Sequence, residues 1–121
     1  MKNILLLGAT GSIGDSVLNV ISQNRDLFNL FGISLNKNIS KATKITKEFS
    51  PKYIHVNENE SLKTNKKNSL NIYLNGDEDL EHLINDQEVD IIICAISGFA
   101  GLKATYMSAQ TGKKILLANK E

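Results

Sequence analysis

The chain has 121 residues, enough for one domain with a real core and too few for two. Apolar residues make up 41% and charged residues 22%, and the net charge of +1 excludes electrostatic capture of nucleic acid or of an acidic membrane surface. Cys94 is the one cysteine, which excludes an internal disulfide; with no apolar stretch near the length of a signal-peptide core or a membrane span, a cytoplasmic protein is the expectation.

Ile4 to Leu7 predicts a first strand, a short apolar run of the kind buried on both faces of a parallel sheet. Gly8-Ala9-Thr10-Gly11-Ser12-Ile13-Gly14 follows it directly. A helix then runs from about Ser12 to Asn24, with Ile13, Val17, Val20 and Ile21 recurring at helical spacing. A strand, a glycine turn and a helix start in that order make a cradle for a dinucleotide phosphate. Glycine reaches φ > 0 and lets a pyrophosphate come close enough to take hydrogen bonds from backbone N–H groups. The spacing here is G-x-x-G-x-x-G, a variant common among NADP-using enzymes. Thr10, Gly11, Ser12 and Ile13 present N–H groups and two hydroxyls to such a phosphate. A turn that serves packing alone is the competing reading, and three glycines in seven residues between a strand and a helix count against it.

Leu30 to Leu35 predicts the second strand, and its end decides between the two nicotinamide cofactors. NAD-preferring sites place a carboxylate there for the ribose hydroxyls. This chain has Leu35-Asn36-Lys37-Asn38 instead. Lys37 attracts a 2′-phosphate and both asparagines can donate to it, so NADP is the better match, against a polar turn that merely contains a lysine.

Ser40 is the expected cap of a helix with Ala42, Ile45 and Phe49 on its apolar face, ended by Pro51. Tyr53 to Val56 predicts a third strand. Between Glu58 and Leu70 the composition turns to Glu, Asn, Lys, Ser and Thr, which predicts a helix starting near Asn57 and fraying into a solvated loop. Lys63, Lys66 and Lys67 there form a wet surface rather than a phosphate site. Ile72 to Leu74 is a fourth strand, followed by a helix with Leu80, Leu83 and Ile84 on one face. Val89 to Ile96 is the most apolar segment and the expected central strand, with Cys94 a buried spectator inside it. Ser97-Gly98-Phe99-Ala100-Gly101 follows, at the expected nicotinamide end of the cofactor; Phe99 is either a wall of that pocket or ordinary packing. A helix from Gly101 or Leu102 to Thr111 stops at Gly112, and Lys114 to Ala118 makes the last strand. Asn119, Lys120 and Glu121 come just beyond it, on the expected ligand edge, where a lysine is able to bind a phosphate or a carbonyl oxygen; alone, the triplet equally suits a surface loop.

Regular interleaving of strands and helices predicts a doubly wound, mainly parallel α/β sheet with helices on both faces and a ligand at the carboxyl ends of the strands. Other chemistries lack their residues. His55 and His82 join no cluster of metal ligands, no tyrosine is followed four positions on by lysine, and no G-x-x-x-x-G-K-[ST] motif for ATP occurs.

Five blocks carry a resemblance. They are Gly8 to Gly14, Asn36-Lys37-Asn38, Phe49-Ser50-Pro51-Lys52-Tyr53, Ala95 to Leu102, and Ile115-Leu116-Leu117-Ala118-Asn119-Lys120-Glu121. In this order and at these separations the chain resembles the 1-deoxy-D-xylulose 5-phosphate reductoisomerase family from end to end, most specifically in the terminal Leu-Ala-Asn-Lys-Glu. The resemblance implies a Rossmann-like NADP-binding domain. It also implies conversion of 1-deoxy-D-xylulose 5-phosphate to 2-C-methyl-D-erythritol 4-phosphate in the non-mevalonate route to isoprenoid precursors. There a divalent metal (Mg, Mn or Co) holds the substrate oxygens and NADPH delivers hydride. By the family pattern Thr10, Gly11, Ser12 and Ile13 bind the NADPH pyrophosphate region, and Asn36, Lys37 and Asn38 its 2′-phosphate end. Asn119 and Glu121 complete the cofactor site, and Lys120 contacts substrate. Asn36 departs from the pattern, which usually has glycine there; its side chain is large enough to crowd the adenine ribose.

The family's metal-binding carboxylates, substrate-phosphate contacts and lid follow the Asn-Lys-Glu block. Residues 1–121 are therefore expected to be the amino-terminal NADPH-binding domain of a longer, homodimeric, bacterial-type enzyme, with no turnover of their own and with the catalytic and carboxyl-terminal domains lying outside. Two other readings stand beside this one. Another NADP-dependent dehydrogenase is disfavoured by the missing Tyr-x-x-x-Lys and by the mid-strand position of Cys94. A stand-alone dinucleotide-sensing module would have no acidic D-x-E segment encoded beyond Glu121, whereas a reductoisomerase would.

Overall fold

Strand and helix alternate as the apolar pattern predicts, in the order β1 (Lys2–Leu7), α1 (Ser12–Gln23), β2 (Phe28–Leu35), α2 (Ile39–Phe49), β3 (Tyr53–Val56), β4 (Ile72–Asn75), α3 (Gly76–Ile84), β5 (Ile91–Cys94), α4 (Gly98–Ala109) and β6 (Lys114–Leu117). These elements come from a computed structural model that describes residues 1–9, 11–36, 39–56, 71–96 and 98–117. The expected helix near Asn57 and the lysines at 63, 66 and 67 lie outside the described residues.

The strands form one six-stranded sheet in the order β4-β3-β2-β1-β5-β6, with every pairing parallel. Parallel neighbours need a crossover, and right-handed crossovers put the helices on both faces. Alternate residues of β1 therefore enter different cores. Ile4 and Leu6 pack with Leu18 and Ile21 of α1 and with Ala42 and Ile45 of α2. Leu5 and Leu7 pack with Leu80, Leu83 and Ile84 of α3 and with Ala104 of α4. This is the doubly wound α/β sheet that the sequence predicts.

Four local expectations need correction. The most apolar segment is not the middle of the sheet. Its strand is confined to Ile91–Cys94 and lies next to the edge strand β6, while β1 and β2 hold the centre. Apolar content reports burial on two faces, and an off-centre strand between two neighbours satisfies that as well as a central one. Second, α1 turns Gly14, Leu18 and Ile21 into the core and leaves Val20 52% exposed. Val20 instead borders an apolar groove with Val17, Phe28, Ile91, Ile93 and Leu116, on the face of the sheet away from α4.

Third, α2 begins at Ile39, so Ser40 is an exposed first-turn residue and not the cap. Fourth, α4 begins at Gly98, earlier than expected, and ends at Ala109, with a turn through Gly112. Two glycines argue against a helix start by propensity. Burial explains why the helix tolerates one of them. Gly101, Ala104 and Ser108 form a small-residue face that lies buried, and the Ser108 hydroxyl donates 2.8 Å back to the Ala104 carbonyl.

Candidate functional site

Because all strands run parallel, Leu7, Leu35, Val56, Cys94 and Leu117 end at one edge of the sheet. The segments that follow β1, β2 and β5 are tied together there. The Gly8 and Ala9 N–H groups donate to the Ser34 carbonyl at 2.8 and 3.1 Å, and the Ala95 N–H donates to the Leu7 carbonyl at 2.8 Å.

The three glycines of the turn do different work. Gly8 has φ +91°, and a Cβ there would lie 2.8 Å from both the carbonyl carbon and the oxygen of Ala95. Gly14 sits in the first turn of α1, where a Cβ would come within 2.6 Å of the Ala9 oxygen and 2.8 Å of the Gly8 oxygen. Both are required by contact between backbones. Gly11 is different. It is the N-cap of α1 with φ −86° and ψ 177°, it is exposed, and a Cβ there would meet nothing within 4 Å. Packing therefore accounts for the outer glycines and leaves the middle one as open backbone.

That open backbone carries the chemistry. Asp15 N–H donates to the Gly11 carbonyl at 3.0 Å, so the N–H groups of Ser12, Ile13 and Gly14 have no acceptor within the helix. N–H groups without a helix acceptor, at the positive end of a helix dipole and beside a glycine with no side chain in the way, fit a pyrophosphate. Gly11 and Ser12 are exposed and Ile13 is half-buried. Asn36, exposed, begins the segment after β2. Thr10, Lys37, Asn38, Asn119, Lys120 and Glu121 lie outside the described residues. Among the described residues no three His, Cys, Asp or Glu come together as a metal site, so these residues do not fit a divalent ion.

Cys94 is buried, and burial pushes its thiol above the ordinary value, opposed by hydrogen bonds from Thr105 and Ser108. A thiol held neutral is no nucleophile, as its mid-strand position implies. His82 is exposed in the last turn of α3.

His55 is a feature the sequence underdescribes. It is 0% exposed, with Nδ1 2.9 Å from the Ser34 hydroxyl and Nε2 2.8 Å from the Gly76 carbonyl. Burial holds its pKa below the ordinary histidine value, against raising contributions from the Gly76 hydrogen bond and from Asp79 and Asp77. Its partners lie 21 positions away on either side, so no local pattern signals them. A histidine that stays neutral when folded but takes a proton when unfolded makes the unfolded state bind more protons. Stability is then complete above about pH 6.5 and declines as the pH falls from there toward the depressed folded value, by at most about 1.4 kcal/mol per pH unit. Urea titrations of the chain and of His55→Leu at about pH 7.5 and about pH 5.5 check this. The acid loss should shrink in the variant, and an equal loss in both would assign it to other groups.

Comparison with known proteins follows the same outline. Residues 4–121 match the family model of 1-deoxy-D-xylulose 5-phosphate reductoisomerase. A 1-deoxy-D-xylulose 5-phosphate reductoisomerase of Francisella tularensis subsp. novicida (strain U112) is 46% identical over 98% of this chain, and one of Clostridium perfringens (strain SM101 / Type A) is 41% identical over all of it. The match covers 31% of the first relative and 33% of the second, so the chain spans about a third of their length. Among solved structures, a DOX-P reductoisomerase in complex with NADPH, fosmidomycin and magnesium superposes with a TM-score of 0.89 at 36% identity, over 98% of this chain and 30% of that one. The Zymomonas mobilis 1-deoxy-D-xylulose 5-phosphate reductoisomerase in complex with NADPH gives 0.86 at 30% identity, over 98% and 32%. With a family match over nearly its whole length, the chain belongs to the 1-deoxy-D-xylulose 5-phosphate reductoisomerase family.

Proposed function

We propose that residues 1–121 are the NADPH-binding domain of a reductoisomerase that converts 1-deoxy-D-xylulose 5-phosphate to 2-C-methyl-D-erythritol 4-phosphate in non-mevalonate isoprenoid biosynthesis. The observation that carries this is the exposed, unobstructed backbone at Gly11, set between two glycines that packing alone demands. Thr10, Gly11, Ser12 and Ile13 bind the pyrophosphate region, and Asn36, Lys37 and Asn38 take the 2′-phosphate end. Asn119 and Glu121 complete the cofactor site, and Lys120 meets the substrate. Two of the similar solved structures carry NADPH, which supports the cofactor assignment by family membership.

When bound, NADPH would supply a hydride; the part of these residues would be to bind its phosphates and hold it at the carboxyl ends of the strands. The Mg, Mn or Co ion and the substrate-phosphate contacts would belong to residues outside this chain. The family resemblance supports that division. Catalytic and carboxyl-terminal domains, a homodimer and a cytoplasmic setting belong to the same proposal. The family resemblance supports the first three. A buried free thiol fits the last, and among the described residues no helix is long and apolar enough to cross a membrane.

Fluorescence titration of the purified chain with NADPH and NADH tests the reading. NADPH is expected to bind at least tenfold more tightly, with no turnover of 1-deoxy-D-xylulose 5-phosphate when both are supplied. Equal affinities would remove the NADP assignment, and measurable turnover would remove the division of labour.

A further inference from the structure

We propose that His55 is a positioning residue of the cofactor site: through Ser34 it fixes the glycine turn after β1 relative to the end of β2, so that one NADPH meets both. The proposal rests on the NADPH reading above.

The proton positions follow from the partners. The Gly76 carbonyl can only accept, so His55 Nε2 carries the hydrogen of that 2.8 Å contact. The other nitrogen of a neutral ring is an acceptor, so the Ser34 hydroxyl donates to Nδ1 across 2.9 Å. Ser34 is thereby held by its side chain, while its own carbonyl receives the N–H groups of Gly8 and Ala9. Two residues further on, Asn36 opens the turn assigned to the 2′-phosphate. A line of directional contacts thus runs from the start of α3 through His55 and Ser34 into the phosphate cradle.

An apolar side chain would fill this space more cheaply. Ser34 and His55 are 3% and 0% exposed, and taking hydroxyl and imidazole out of water is unfavourable until each bond is made. Satisfied buried polar networks fix angles that apolar contacts leave free. Here the angle fixed is that of the β2 end, where two phosphate sites must keep one spacing. The ring is held neutral by its burial, and Asp77 and Asp79 at the start of α3 are the charged groups that bear on it.

The test compares the chain with Ser34→Ala, His55→Leu and His55→Asn, measuring the affinities for NADPH and NADH and the melting temperature of each. Ser34→Ala and His55→Leu are expected to lower the NADPH-over-NADH preference at least fivefold, because the end of β2 loses its fixed place. His55→Asn, whose amide oxygen can accept from Ser34, should keep more than half of the preference. A purely structural role would lower the melting temperature and leave the preference within twofold, which overturns the proposal. If His55→Leu does not fold, Ser34→Ala decides alone, since it removes a single hydroxyl. Failure of the unsubstituted chain to bind NADPH, or to prefer it, would overturn the NADPH reading and this proposal with it.

Discussion

Gly14→Ala is expected to destabilise the chain by about 3 kcal/mol, the upper part of the range for forcing one extra methyl group into a packed site. The methyl would enter space held by the Ala9 and Gly8 carbonyl groups at 2.6 and 2.8 Å. Those atoms are backbone and cannot swing aside as a side-chain tip can. They belong to the turn that is bonded through Gly8 and Ala9 to Ser34, so moving them also disturbs β2. The melting temperature should drop on the order of 10 °C. Gly11→Ala provides the contrast. With nothing within 4 Å of its Cβ and an ordinary φ of −86°, it should lose less than about 1 kcal/mol through the weaker N-cap. Its effect should appear in cofactor affinity, because the new methyl stands at the exposed start of α1. Equal stability loss in the two variants would mean that the glycines are not divided between packing and binding.

Lys37→Ala is expected to weaken NADPH binding by about 10- to 100-fold, the loss of one charge-assisted contact to a phosphate at about 1.5–3 kcal/mol. NADH has no 2′-phosphate and should bind almost as before. The loss should also shrink as salt is raised, because added ions screen an exposed charge pair. Isothermal titration with both cofactors at two ionic strengths measures all of this. An equal loss for NADPH and NADH would show that Lys37 does not read the 2′-phosphate.

The elements were legible because each follows from short-range chemistry. Four apolar residues before a glycine turn can only be a buried strand in a chain of alternating strands and helices. Pro51 likewise marks the end of α2, whose last residue is Phe49, with Ser50 at φ +50° between them. Long-range facts were hidden. On α1, Ile13, Val17, Leu18, Val20 and Ile21 cover more than one face, and only the position of the sheet selects Leu18 over Val20. The central place of β1 depends on which crossover goes which way, and composition does not record it.

The candidate site divides in the same manner. Gly11, Ser12 and Ile13 were visible as a motif, but the different tasks of Gly8, Gly11 and Gly14 emerge only from the atoms facing each one. His55 sits in the run Tyr53-Ile54-His55-Val56, which reads as strand packing. Its two hydrogen-bond partners come from β2 and from the start of α3, elements that meet it only in the folded chain.

The central position of β1 also dictates how the chain must be built. Its first strand pairs on one side with β2, beginning with Lys2 opposite Phe28, and on the other with β5, beginning with Ile4 opposite Ile91. The nearer edge can zip as soon as α1 has formed. The farther edge waits until Ile91–Cys94 is present, and Leu5 and Leu7 wait with it for α3 and α4 to cover them. Such non-local pairing is slow to reach because loop closure precedes its reward. Until that pairing is made, β1 has one unpaired edge and one uncovered apolar face. Among the described strands, the earliest in sequence is thus among the last to be enclosed.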